Sequence, residues 1–114
     1  MSDPNPFAER VLDLVERIPA GRVMAYGDIA EALQDGGPRQ VGRVMALYGG
    51  GVPWWRVVRA DGSLPRSHAV RAPKHYRAEG TPLRSGGERV DMTRARWTPD
   101  PEDVPQEPEL PPIP

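Results

Sequence analysis

The side chains best suited to chemistry in this 114-residue sequence surround one aromatic tetrapeptide, Pro53-Trp54-Trp55-Arg56. The sequence contains no cysteine, which excludes a disulfide framework, a thiolate zinc site and a cysteine nucleophile. Indole rings stack on other planar groups, so Trp54 is a candidate for non-covalent binding. A tryptophan in so short a chain is also commonly a core residue, and both interpretations stay open on composition alone.

The histidines do not complete a second reactive group. His68 and His75 are seven residues apart, with no cysteine and no ordered pair of acids nearby, so a metal site is not indicated. No serine or aspartate accompanies a histidine in the motif around residues 53–56, where a hydrolytic nucleophile would need its base. The sequence predicts no metal and no cofactor.

Charge is unevenly distributed along the chain, although the net charge is only −1. Residues 1–35 hold three arginines against seven acids, and residues 98–114 hold five acids and no base. Residues 36–97 hold twelve Lys or Arg against four acids. Such a basic block suits a phosphate backbone, although a high-GC genome would produce the same bias toward arginine.

The elements that would position these residues can be read from apolar spacing and from Pro and Gly. A helix is predicted from Pro6 to Ile18, and Arg22–Ala25 is a short extended piece. A second helix is predicted from Gly27 to Leu33 with Asp28 as its cap, and a third from Pro38 to Tyr48. Two short helices joined by a glycine-containing turn have the outline of a helix-turn-helix.

The second half reads as shorter elements. Val57-Val58 predicts a strand ending in a turn or wing at Asp61-Gly62, and a helix is predicted from Pro73 to Glu79. Residues 83–97 read as a loose hairpin or extended pair. We therefore predict a mostly α, α/β winged-helix-like domain over residues 1–97. Residues 98–114, with seven prolines, are predicted to be an acidic, Pro-rich disordered tail.

Four segments together resemble the DNA-binding domain of the O6-alkylguanine-DNA alkyltransferases. Those enzymes carry Pro-Cys-His-Arg where this chain has Pro-Trp-Trp-Arg, so the resemblance is closer to the alkyltransferase-like proteins, which lack the acceptor cysteine. The matching segments are Ile18-Pro19-Ala20-Gly21-Arg22-Val23, Tyr26-Gly27-Asp28-Ile29-Ala30, Arg39-Gln40-Val41-Gly42 and Pro53 to Val58.

The resemblance implies roles in DNA binding for residues of the first half. Tyr26 matches the tyrosine that rotates the phosphate of the target nucleotide, and Arg39 matches the arginine that enters the duplex in place of the extruded base. Gly42 lets the third helix approach the minor groove backbone. A solvated arginine and simple helix packing are the alternative interpretations for the last two residues.

The resemblance also assigns residues around the tetrapeptide. Trp54 lies at the position of the missing nucleophile, where its ring would contact a flipped alkylguanine, and Arg56 braces the site loop. Trp55 replaces the histidine and is interpreted as packing. Glu79 matches the carboxylate that orients that histidine, and it is predicted here to be a surface or helix-end glutamate without that task.

Two further contacts are predicted in the basic stretch that follows. Ser63 is expected to offer a hydroxyl or a backbone amide to the pocket. Arg66 is chosen over Arg59 and Arg71 as the arginine that reaches the lesion or a neighbouring phosphate, with a solvated face as the alternative.

The implied function is recognition without repair. The protein would bind O6-alkylguanine in double-stranded DNA through the minor groove, flip the base and flag it for nucleotide excision repair proteins. The alternatives are a winged-helix transcription regulator and a residual methylated-DNA alkyltransferase-type enzyme using another nucleophile. We expect a monomer. We expect it in the cytoplasm, associated with the nucleoid when bound to DNA, because neither a signal peptide pattern nor an apolar run of about 18 residues is present.

Overall fold

The computed structural model describes residues 5–106, and helix α1 (Pro6–Arg17) opens it as the sequence predicts. The Asn5 side chain accepts a hydrogen bond from the N–H of Ala8 at 2.8 Å, and Pro6 occupies the first turn, where its missing N–H has no helical partner. The buried residues of α1 recur at spacings of three and four, so one face of the helix enters the core.

Helices α2 (Tyr26–Leu33) and α3 (Pro38–Tyr48) form the predicted helix-turn-helix. One detail of the prediction is wrong: Asp28 is not the N-cap of α2. It lies within the first turn, and its carboxylate reaches back to accept from the N–H of Ala25 at 3.0 Å. A 3-10 turn over Gly49–Gly51 follows α3 and leads into the tetrapeptide.

Strands β1 (Met24–Ala25) and β2 (Val57–Val58) are parallel, with Met24 opposite Val57. Because successive residues of a strand face opposite sides, Met24 and Val57 pack on one side of the pair while Val23 and Val58 pack on the other. This pairing returns the chain after α3 to the start of α2. The tetrapeptide, immediately before β2, is thereby fixed beside the helix-turn-helix.

The core has two parts, one packed on each side of the strand pair. The first core cluster joins α1, α2 and α3; its buried members are Ala8, Val11, Leu14, Val15, Ile18, Met24, Ile29, Ala30, Leu33, Val41, Val44, Met45 and Val57. The second core cluster joins the strands to the later elements; its buried members are Val23, Val58, Ala72, Tyr76, Val90 and Ala95. Trp54 packs against both clusters.

The later elements differ in part from the prediction. Helix α5 (Ala72–Glu79) agrees with it, and Gly80 ends the helix in the left-handed conformation. Helix α4 (Arg66–Ala69) has no clear signal in the sequence. The predicted extended structure beyond residue 90 is wrong over α6 (Met92–Ala95), because the Asp91 carboxylate caps a helical turn by accepting from Thr93.

The predicted disordered tail is corrected over residues 98–106, which follow a defined path against α1. Val104 packs on the first core cluster, and the Arg10 side chain donates to the carbonyl of Pro105 at 3.2 Å. Val104 is the one apolar side chain set among the prolines of this stretch, and the average composition conceals the contact that it makes. Residues 107–114 of the predicted tail lie outside the described residues.

The predicted architecture, a mostly helical domain with a helix-turn-helix and short strands, is confirmed. Over residues 5–106, none of the helices combines the length and the apolar character needed to cross a membrane.

Gly62 and Gly80 provide a matched test of how the second half is held. Both have positive φ, +86° and +70°, but a Cβ at Gly62 would lie 2.2 Å from the carbonyl oxygen of Val90, whereas a Cβ at Gly80 meets nothing within 4 Å. Gly80→Ala should cost about 1–2 kcal/mol of unfolding free energy from the backbone conformation alone. Gly62→Ala should cost clearly more, because the clash adds to that strain. Urea unfolding of both variants checks this, and equal losses would contradict it.

Candidate nucleic-acid interface

Helix α3 presents a solvent-facing side of small and basic residues. Val41, Val44 and Met45 are buried, and the residues at the complementary helical positions are partly or fully exposed. These are Arg39, Gly42, Arg43, Ala46 and Leu47. A helix that buries only its opposite face leaves this side available to a groove of DNA.

Gly42 has no role in the protein's own packing. A Cβ added there would meet nothing within 4 Å, and its backbone is helical. Since glycine inside a helix costs about 1 kcal/mol relative to alanine, neither close packing nor backbone conformation accounts for its presence. The open space beside it lies on the same side of α3 as Arg39, which is exposed in the first turn.

Tyr26 begins α2 and is half-buried. Burial raises the pKa of its phenol, and the positive charge of Arg59 offsets this rise only in part. The hydroxyl therefore keeps its proton near neutral pH and can donate a hydrogen bond.

Trp54 lies in a 3-10 turn (Trp54–Arg56) and is partly exposed. Its ring centroid is 4.9 Å from that of His68 at a tilt of 31°, and it meets His75 edge-on at 5.5 Å. The Arg71 guanidinium carbon lies 5.2 Å from the indole centroid. A planar ligand can stack on the face that His68 covers only if that imidazole moves aside.

The Glu79 carboxylate accepts hydrogen bonds from several segments of the site. It accepts from Nε1 of Trp55 at 2.9 Å, from Nε of Arg56 at 3.1 Å and from the N–H of Gly21 at 3.0 Å. Only 12% of its side chain is exposed. Glu79 ends α5 as predicted, but the prediction of a surface residue without a task is wrong, because the fold brings three donors to it from other parts of the chain.

These contacts set the protonation of Glu79. Burial by itself raises the pKa of this carboxyl group, but the hydrogen bonds from Arg56, the Gly21 amide and Trp55 favour the charged form and leave the pKa below its ordinary value. The carboxylate is thus ionised throughout the neutral range.

Trp55 and Arg56 make further contacts besides their hydrogen bonds to Glu79. The Trp55 ring stacks on His75 at 3.7 Å with an interplanar angle of 8°, and its carbonyl accepts from the Tyr76 hydroxyl at 2.8 Å. Arg56 donates through Nη1 to the carbonyl of Ile18 at 2.8 Å. Trp55 packs, as its sequence context predicts, and it also supplies a hydrogen-bond donor that the sequence interpretation missed.

Ser63 and Arg66, the two further predicted contacts, have different surroundings in this structure. The Ser63 hydroxyl donates to Asp61 at 2.6 Å, and Ser63 lines a cavity of about 340 Å³ that also touches Tyr76. Arg66 is exposed at the start of α4. Of the three arginines weighed for this role, Arg71 is the one over the indole, a contact between residues 17 positions apart that no sequence spacing indicates.

Comparison with known proteins points to one family. Residues 6–81 match the model for the DNA-binding domain of 6-O-methylguanine DNA methyltransferase. The chain is 38% identical over 104 residues to a DNA base-flipping protein of Escherichia coli K12, covering 85% of this chain and 78% of that protein. It is 30% identical over 98 residues to a protein of the same name from Vibrio parahaemolyticus, covering 82% and 97%.

A solved structure agrees with this comparison. The crystal structure of S. pombe Atl1 in complex with damaged DNA containing O6-carboxymethylguanine is similar with a TM-score of 0.71 and 26% identity. The similarity covers 86% of this chain and the whole of that one.

Glu79→Gln tests the network directly. Losing the charge weakens the hydrogen bonds from Arg56 and Trp55, and hydrogen bonds to a charged group contribute about 1.5–3 kcal/mol, so unfolding free energy at pH 7 should fall by about that amount. Because the folded pKa is lowered, the stabilisation is present above the unfolded pKa of about 4.3 and is lost as pH falls through the folded value. Urea unfolding from pH 7 to pH 3 should therefore show a smaller acid-induced loss for the variant. An identical pH profile for the two proteins would contradict this role.

Proposed function

The chain belongs to the family of 6-O-methylguanine DNA methyltransferase DNA-binding domains, and from this premise we propose that it recognises O6-alkylguanine in duplex DNA without repairing it. It binds through the minor groove, turns the alkylated base out of the helix and holds it beside Trp54. The base leaves the site chemically unchanged.

The observation that carries this proposal is the substitution of both reactive positions within a retained site. Trp54 and Trp55 stand where the resemblance to the alkyltransferases puts the acceptor cysteine and its histidine, and the sequence contains no cysteine at any position. Glu79 and Arg56 still bond each other beneath them. An indole N–H donates but has no lone pair to accept a proton, so Trp55 satisfies Glu79 without acting as a base.

Helix α3 supplies the proposed DNA contact. Gly42 leaves space for a phosphodiester backbone close to the helix, and Arg39 projects from the first turn of the same side. A guanidinium plane stacks between base pairs and bonds the orphaned partner, which offsets the unstacking cost of a few kcal/mol. Tyr26 donates its hydroxyl to a phosphate at the start of the neighbouring helix.

Around the extruded base, Trp54 offers its indole face and Arg71 adds a positive charge next to it. Ser63 and Arg66 remain predicted contacts, Ser63 to the pocket and Arg66 to the lesion or a neighbouring phosphate. His68 must leave the face of Trp54 that it covers for the base to stack there.

The compared proteins support binding of damaged DNA and base flipping. Two of them are DNA base-flipping proteins, and Atl1 was crystallised with damaged DNA containing O6-carboxymethylguanine. We also propose that the bound protein flags the lesion for nucleotide excision repair proteins. A protein that cannot remove the alkyl group contributes to repair only if others act on the complex. Such a role requires access to chromosomal DNA, which in a bacterial cell is the cytoplasmic nucleoid.

The primary test is a titration of tryptophan fluorescence with two duplexes that differ only by one O6-methylguanine. We expect tighter binding of the lesion duplex by about tenfold or more, which corresponds to about 1.4 kcal/mol. Equal affinities would remove the proposal. Preference for one undamaged sequence would indicate a transcription regulator, and transfer or release of a labelled methyl group would indicate an enzyme.

Arg39 and Trp54 should have separable effects in the same titration. Arg39→Ala should weaken lesion binding about tenfold or more, because the gap left by the extruded base is no longer filled. Arg39→Lys is the matched control: it keeps the charge but lacks the planar guanidinium, so it should restore binding to plain DNA without restoring the lesion preference. Trp54→Ala should mainly reduce the ratio of the two affinities.

Gly42→Ala should change stability and binding in opposite directions. The free protein should gain about 0.5–1 kcal/mol, since the added methyl group enters open space and helix propensity improves. Affinity for both duplexes should fall, because the methyl group occupies space proposed for the DNA backbone. Thermal unfolding and the titration measure the two effects. A variant that binds DNA as tightly as the wild type would show that Gly42 lies outside the contact.

A further inference from the structure

The turn between Leu83 and Val90 lies beyond the residues 6–81 that match the family model. We call residues 84–89 the arginine turn. Leu83 and Val90 form an antiparallel bridge and both pack with the second core cluster. The N–H of Arg84 donates to the carbonyl of Arg89 at 2.8 Å, which pairs these two residues across the turn.

Both arginines of the turn are exposed, whereas Leu83 and Val90 pack with the second core cluster. Arg84 borders a cavity that it shares with Asp61 and Asp91, and Arg89 borders the cavity of about 340 Å³. The turn therefore presents one guanidinium group at each of two cavities.

The acids near the turn make only weak pairs with its arginines. Arg89 approaches Asp61 at 3.7 Å, with about half of each side chain exposed, and such surface pairs are weak. The Asp61 carboxylate already accepts from Ser63. Within residues 84–89, two arginines stand against one acid, the exposed Glu88.

The arginine turn is fixed with respect to the candidate site. The N–H of Val90 donates to the carbonyl of Gly62 at 3.0 Å, and a Cβ at Gly62 would collide with Val90. The second core cluster that holds Val90 also packs against Trp54 and Trp55. The cavity of about 340 Å³ is lined by Arg89 and by helices α4 and α5, whose connection carries Arg71 over Trp54.

The sequence between the site and the turn is basic. Residues 59–89 hold seven Lys or Arg against three acids. One of those acids, Glu79, is engaged by Arg56. Helices α4 and α5 and their connection carry four exposed cations, Arg66, Arg71, Lys74 and Arg77.

We propose that the arginine turn is a second DNA contact, in which Arg84 and Arg89 bind phosphates of the duplex flanking the flipped nucleotide. Arginine forks match phosphate oxygens and add affinity that does not depend on base sequence. This proposal rests on the proposed function of the site, because it presupposes that DNA occupies the face that carries Trp54.

Salt dependence of binding tests the contact. The logarithm of affinity falls with the logarithm of salt concentration by about 0.9 per phosphate contacted, so the Arg84→Gln/Arg89→Gln variant should lose about 1.8 from the slope and Arg84→Gln alone about 0.9. Affinity should fall by one common factor for the O6-methylguanine duplex and for its undamaged counterpart. The lesion preference should thus stay at the wild-type ratio.

Two controls separate a local contact from net charge and from folding. Arg84→Lys/Arg89→Lys should keep the wild-type slope, and so should Arg17→Gln, which removes a cation paired with Asp13 on α1. In thermal melts the double Gln variant should unfold close to the wild-type temperature, since the pair that Arg89 makes with Asp61 is exposed and weak.

The outcomes distinguish the two proposals. An unchanged slope in the double Gln variant, with wild type still preferring the lesion, would overturn the second contact and leave the site intact. Loss of slope equal to that of Arg17→Gln would also overturn it, because net charge alone would then explain the effect. Absence of any lesion preference in the wild type would sink the proposed function, whatever the slopes.

Discussion

The candidate site depends on one ionised carboxylate removed from most of its water. Glu79 needs several donors in that position, since a buried charge is tolerated only when it is paired and hydrogen-bonded. Trp55, Arg56 and the backbone of Gly21 supply them. Arg56 also donates to the end of α1 through Ile18. The tetrapeptide turn, the end of α5 and the loop before β1 are thus held together, and the position of Trp54 follows from theirs.

The hydrogen-bond network of Glu79 also explains how the site keeps its geometry without the reactive cysteine and histidine. A histidine at residue 55 would donate to the carboxylate through one nitrogen and accept a proton at the other. An indole provides the first function and lacks the second. Trp55 therefore satisfies Glu79 and stacks on His75, while Trp54 offers an aromatic surface at the place of the nucleophile. Recognition of a planar base is compatible with this arrangement, and covalent transfer to sulfur is not.

The fold also sorts the charges of the chain. The acidic stretch 98–106 packs against α1, which lies within the acidic first 35 residues. The basic middle carries α3, the site and the arginine turn. A duplex bound along α3, the site and the arginine turn would face this basic middle, so a net charge of −1 does not oppose DNA binding. The local distribution of charge governs DNA binding more than the net charge does, because salt screens exposed charges beyond about 8–10 Å.

The sequence by itself determined the first three helices, the strand at 57–58, the helix-turn-helix and the absence of thiol chemistry, because periodic burial, Pro, Gly and residue type are local signals. The resemblance in four short segments also identified Trp54, Arg39 and Tyr26 as residues to examine. Tertiary structure alone decided that Glu79 bonds Trp55 and Arg56, that Arg71 and His68 lie against Trp54, and that residues 98–106 fold onto α1. These contacts join residues from 14 to 95 positions apart. Their formation depends on how the strand pair and the two core clusters bring distant segments together, and no pattern within one segment encodes that distance.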